Sequence, residues 1–143
     1  MAELGAHVNI DMTFVTGGKA IFTVENNNHR HYTYQVKKAR ATPQNTFVEP
    51  PHFVFVLTNT NQYVYVGMLV EDKVIPTYKS KHKATSDVVK VFNFGIRMIK
   101  AKNGPKGYSV LHEGCCGKCG RPLTDPESIR IGFGPTCRNS VGL

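Results

Sequence analysis

All four cysteines of this 143-residue chain fall within its last thirty residues, in the run His112-Glu-Gly-Cys115-Cys116-Gly-Lys-Cys119-Gly-Arg and then Gly134-Pro-Thr-Cys137. A segment this short cannot bury enough apolar surface to fold on its own, so clustered thiols of this kind serve as its staple. Cys116 and Cys119, two residues apart, can bend the chain around one ion, and Gly117 and Gly120 supply the backbone freedom of such a turn. The spacing points to one structural zinc ion.

Five candidate ligands compete for four positions. Neighbouring side chains point in different directions, so Cys115 and Cys116 do not readily reach one tetrahedral ion at a Zn–S distance of about 2.3 Å. Cys116, Cys119 and Cys137 are therefore assigned as ligands. His112, at the end of the apparent strand Gly107-Tyr-Ser-Val-Leu-His112, is expected as the fourth, with Cys115 as the alternative. A pair of disulfides would also use an even number of cysteines. A redox-active Cys-x-x-Cys would want a helix starting at the motif, which Gly120-Arg-Pro122 resists.

Charge is the second constraint. The net +8 is concentrated in the second half: residues 1–72 hold five Lys/Arg against six Asp/Glu, and residues 73–143 hold thirteen against four. Between Lys73 and Lys106 nine cations face only Asp87. Such a field attracts polyanions. With no secretory leader and no apolar run long enough for a membrane span, the sequence is expected to be soluble and intracellular.

Alternation with period two marks the first half as antiparallel sheet. Met12 to Val15 and Lys19 to Glu25 read as a hairpin around Thr16-Gly-Gly18, and His31 to Lys37 follows a turn at Asn26-Asn-Asn28. Tyr32, Tyr34 and Val36 share one face of that strand. The Pro-containing stretch 40–52 reads as a loop. Phe53 to Leu57 and Tyr63 to Val70 then form a second hairpin around residues 59–62, apolar on both faces and so expected to be central and covered. One amphipathic helix runs from a Ser86 cap to about Lys102, with Val88, Val91, Phe92, Gly95, Ile96 and Ile99 inward, Lys90, Asn93, Arg97 and Lys100 outward, and Asn103-Gly-Pro105 as its stop. The expected architecture is α+β: an antiparallel β-sheet or partly closed small β-barrel with one helix in residues 1–106, and a treble-clef-like zinc hook in residues 107–143.

From Cys116 the chain reads Cys-Gly-Lys-Cys-Gly-Arg-Pro-Leu-Thr-Asp-Pro-Glu-Ser-Ile129, and later Gly132-Phe-Gly-Pro-Thr-Cys137. This pattern resembles a family of short zinc-hook domains of unknown function in bacteriophage and bacterial proteins. The resemblance implies His at position 112 as a ligand, a non-ligand at 115 and a phage setting, hence the cytoplasm of the host cell. Phe22 to Asn26 is similar to a strand found near the start of phage proteins that carry this hook. It implies no activity. The chain stops six residues after Cys137, short of the long final helix usual in treble-clef hooks.

Four protein ligands close a zinc site against catalysis, and Glu113 lacks the surroundings of a deaminase acid/base. No phosphate-cradling loop, dinucleotide fingerprint or paired nucleophile is present: Gly17-Gly18-Lys19 lacks the rest of a phosphate loop. The sequence therefore predicts a non-enzymatic accessory protein that binds nucleic acid, single-stranded DNA in particular. Lys79, Lys81, Lys83, Lys90, Arg97, Lys100, Arg121, Arg130 and Arg138 are the candidate phosphate contacts, and Tyr32, Tyr34, Tyr63 and Tyr65, with Tyr78 beside them, the candidate stacking residues. His29, Arg30 and His31 are further phosphate candidates at a hairpin tip. The rival expectation is a zinc-stabilised protein-interaction module that docks on a host or phage protein, such as a host enzyme or the transcription machinery.

Overall fold

The computed structural model describes residues 7–8, 10–26, 31–39, 50–58, 62–123, 128 and 131–140. They form one seven-stranded sheet, with β1 (His7–Val8), β2 (Lys19–Glu25), β3 (His31–Lys38), β4 (His52–Leu57), β5 (Tyr63–Val70), β6 (Lys73–Ile75) and β7 (Ser109–His112) in the order β1-β7-β2-β3-β4-β5-β6. β1 runs parallel to β7 and every other neighbouring pair is antiparallel. The order is linear, so among the described residues the sheet is open, and the barrel alternative is set aside. Among the described residues it is accompanied by the helices α1 (Met12–Val15), α2 (Asp87–Ala101) and α3 (Pro135–Ser140).

The first expected strand is a helix. Asp11 caps it by accepting a hydrogen bond from the Phe14 N–H at 3.1 Å, and Phe14 and Val15 are both fully buried. Two adjacent inward side chains suit a helical turn and contradict strand alternation, so a local cap overrides the β-propensity of Thr13 and Val15. Thr16-Gly-Gly18 therefore joins a helix to β2, and the expected hairpin there is absent. β2 and β3 pair from Lys19↔Lys37 to Glu25↔His31, with Phe22, Val24, Tyr34 and Val36 buried on one face as alternation predicts.

β6 was not anticipated. It follows a two-residue turn at Glu71 and Asp72, whose φ values of 49° and 67° are those of a hairpin turn usually made by Asn-Gly. Two acidic residues hide that turn from a sequence reading, and the Lys100 Nζ to Asp72 Oδ2 ion pair at 2.8 Å helps hold it. Asn93, expected on the outer face of α2, accepts the edge-strand N–H of Val74 at 2.8 Å and so covers the exposed side of β6.

α2 lies across the sheet. Ser86 caps it as expected, and Val88, Val89, Phe92, Gly95, Ile96, Met98 and Ile99 are buried, a wider stripe than the sequence suggested. The helix ends on Lys102, which takes the left-handed conformation (φ 56°), before the glycine expected to stop it. A β-carbon on Gly95 would stand 2.8 Å from Val24 Cγ2, so helix and sheet touch closely there. Phe22, Tyr34 and Phe92 form the centre of the core, with ring centroids 5.1–6.1 Å apart. β4 and β5 are covered on this face alone: Phe53, Phe55 and Tyr65 on the other face are half-buried and pack edge to face.

Candidate metal centre and basic face

The hook grows directly out of the sheet. β7 pairs with β2 from Phe22↔His112 to Glu25↔Ser109, and the chain then reverses through a bridge between Cys115 and Pro122. Backbone hydrogen bonds tie the turn on three sides: Cys116 N–H to Arg121 O at 2.8 Å, Gly117 N–H to Gly132 O at 2.9 Å, and Lys19 N–H at the start of β2 to Gly117 O at 2.8 Å. Cys116, Phe133 and Phe14 belong to the same buried cluster as the rest of the core. Phe14 sits against His112 and Phe133 at centroid distances of 5.7 and 5.9 Å.

The Sγ atoms of Cys116, Cys119 and Cys137 lie within 4.8 Å of one another, Cys116 buried and the other two half-buried. A tetrahedral ion bound at about 2.3 Å spaces its sulfurs about 3.8 Å apart, so closing on a metal needs a contraction of at most about 1 Å per pair. Three thiols from two chain segments are thus already gathered as a set that could hold a metal ion. None of the four cysteines forms a disulfide, so the disulfide alternative does not describe this arrangement.

The thiols differ electrostatically. Burial pushes the Cys116 thiol up, but N–H groups of Cys119, Gly134 and Lys118, with the Cys119 side chain, outweigh it and bring the value down to about 7. The Lys118 N–H donates to its sulfur at 3.4 Å. Cys137 is pushed up to about 11, by burial first and then by Cys116 and Cys119. Three adjacent thiolates repel one another, and a bound cation is what would let all of them ionise.

Neither His112 nor Cys115 joins the three-sulfur group. His112 is buried at the end of β7, and its Nδ1 accepts the Gly114 N–H at 2.9 Å. Cys115 acts instead on Tyr63, whose phenol is raised by burial, then by Glu113 and then by Cys115. Tyr63 lies on β5.

Lys79, Lys81, Lys83, Lys90, Arg97, Lys100 and Arg121 are exposed, Arg138 is half-buried on α3, and Arg130, His29 and Arg30 lie outside the described residues. Lys100 is committed to Asp72. Tyr34 is corrected outright: it is 0 % exposed and its hydroxyl donates to Val88 O at 2.7 Å, so no base can stack on it. Tyr32 lies half-buried on the α2 side, whereas Tyr63 and Tyr65 lie on the opposite face. Tyr78 is 92 % exposed, with Lys79 Nζ 5.7 Å from its ring centroid. Two aromatic residues went unread, Phe94 on α2 and Tyr108 just before β7, whose rings meet at 5.3 Å and 85°. Phe94 falls outside the apolar stripe of α2, the one signal that could have marked it.

The fold and site together define a small α+β protein whose open sheet carries a cysteine-gathered hook. Residues 109–142 match the model of a family of unknown function, DUF6011, over β7, the cysteine turn and α3. No match to the chain was found among curated proteins or among solved structures. Among the described residues no helix is long and apolar enough to cross a membrane.

Proposed function

We propose that the chain is a zinc-stabilised nucleic-acid-binding protein whose ligand is single-stranded DNA, acting as a non-enzymatic accessory factor in a phage setting. The observation that carries this reading is the exposed face of α2: Lys90 and Arg97 stand one heptad apart, and Lys79, Lys81 and Lys83 precede the helix N-terminus. Among the described residues none of these five is paired with a carboxylate. Unneutralised cations on one element and its lead-in loop suit a chain of phosphates.

In this reading zinc is structural, held by Cys116, Cys119 and Cys137 in a treble-clef-like hook, with His112 completing the set. His112 shares the ring of Phe14 with the cysteine turn, whereas Cys115 bears on Tyr63 of β5. Coordination costs His112 its bond from Gly114, because Nδ1 must then either hold the ion or carry the ring proton. When bound, zinc contributes on the order of 10–16 kcal/mol of apparent binding energy, which becomes folding energy for the hook.

The test is a titration of labelled oligonucleotides with zinc-loaded protein at two salt concentrations. Affinity that falls steeply with salt, with Lys90→Gln and Arg97→Gln each lowering the logarithmic salt slope by about one, is the expected result. Affinity that stays flat as ionic strength rises rejects it.

A further inference from the structure

α2, the outer ends of β2 and β3, and the start of β7 enclose an open groove of about 1080 Å³, somewhat above the usual range of ligand-sized cavities, about 300–1,000 Å³. Its lining is aromatic and cationic at once. Tyr32, Phe94 and Tyr108 form the walls, each half-buried, and Lys90 and Arg97 rise exposed at the rim. Phe94 and Tyr108 hold each other edge to face, and the Arg97 guanidinium carbon lies 5.6 Å from the Phe94 ring centroid. Tyr108 is anchored through its N–H to Pro105 O at 3.2 Å. These rings are therefore braced in place. Asp87 is the one carboxylate among the described lining residues.

We infer that this groove receives an unstacked base of a single-stranded nucleic acid, with Lys90 and Arg97 taking the flanking phosphates. The inference rests on the nucleic-acid reading above and adds to it the site, and the physical reason a single strand is preferred there. Aromatic walls offer any base a face to stack on, whereas the rim cations complement the phosphate on either side. The bases of an intact duplex are held in their own stack and cannot enter such a groove without being flipped out. A basic face alone would bind duplex and single strand alike, so the aromatic walls are what select. Asp87 offers an acceptor to a base amino group and repels phosphate from its end of the groove, which orients the strand.

The experiment measures fluorescence anisotropy of a labelled oligothymidylate, a strand of equal length with abasic sites, and a duplex, each with the full zinc-loaded chain at low salt. The thymidylate strand is expected to bind about tenfold tighter than the abasic strand, in line with stacking of one base. Tyr108→Leu should abolish that margin while leaving abasic binding within about twofold, and Lys90→Gln should weaken all three ligands alike. Equal affinity for the thymidylate and abasic strands overturns the groove and leaves the polyanion reading standing. Preference for the duplex over both strands also overturns it. Failure to bind any of the three, with salt-insensitive capture of an acidic protein instead, overturns both readings. The comparison of thymidylate with abasic strand uses the unaltered chain and decides the matter even where Tyr108→Leu does not fold.

Discussion

The ring of Phe14 occupies the space that a side chain at position 117 would need: a β-carbon on Gly117 would stand 2.7 Å from Phe14 Cδ1. The same ring carbon would meet a β-carbon on Gly132 at 2.6 Å. A four-residue helix far away in sequence thus fits against both chain segments of the hook, between the sheet and the gathered thiols. The glycines of the cysteine turn serve this close approach as well as the turn itself.

Gly117→Ala is expected to destabilise the zinc-loaded protein by about 1–3 kcal/mol, as overpacking of a tight core does. Gly132→Ala should cost more, because position 132 also has a φ of 89°. Thermal unfolding reads either effect as a drop of about 2–8 °C per kcal/mol. Pairing Gly117→Ala with Phe14→Leu should recover part of the loss. Strict additivity of the two substitutions would show that the ring and the turn do not press on each other.

Zinc uptake should release protons. At pH between 7 and 11 the Cys137 thiol, pushed up to about 11, must give up its proton to bind, and below about 7 the Cys116 proton joins it. Affinity therefore falls at least about tenfold per unit as pH drops toward 7, and more steeply below. Calorimetric titration in buffers of different ionisation heat counts the protons directly. Zinc affinity unchanged between pH 6 and 8 would rule out a thiolate site. Under the same conditions Cys119→Ser should lose the metal, His112→Ala should bind it more weakly, and Cys115→Ser should bind it as before.

Alkaline pH should find a weak point in the core at Tyr34. Burial first, then Tyr32, raises its phenol far above the ordinary value near 10. A group raised in the folded state stabilises the fold fully below its unfolded value and loses that contribution as pH rises past it. Stability should hold up to about pH 10 and decline above it, followed by chemical denaturation across pH 8 to 11. Tyr34→Phe should cost about 1 kcal/mol at neutral pH, for the lost bond to Val88 O, and flatten the alkaline decline. An unchanged alkaline profile in Tyr34→Phe would assign the decline elsewhere.

Much of the fold could be read before it was seen, wherever a local pattern carries its own physics. The alternation of β2 and β3, the Ser86 cap, the apolar stripe of α2 and the Cys-x-x-Cys turn each announce themselves within a few residues. Errors arose where a local pattern had a competitor. Asp11 turned an apparent strand into α1, and Glu71-Asp72 made a hairpin without its customary residues. Lys102 accepted a left-handed conformation that Gly104 was better suited to take. Tyr34 looked like its neighbour Tyr32 because alternation names a face and says nothing of depth.

Residue spacing by itself determined that Cys116, Cys119 and Cys137 would meet, since the thiol pair and the lone cysteine serve no other evident purpose in so short a segment. It determined as well that the second half would be cationic. Tertiary packing alone decided what those features rest on: that the hook begins as a strand of the main sheet, that Phe14 fits between its two halves, and that Phe94 and Tyr108 line one groove with Tyr32 beside two exposed cations. The reason is distance along the chain. Close contacts between residues roughly a hundred positions apart depend on depth, curvature and shape, and these come into being only when the whole chain has closed on its core.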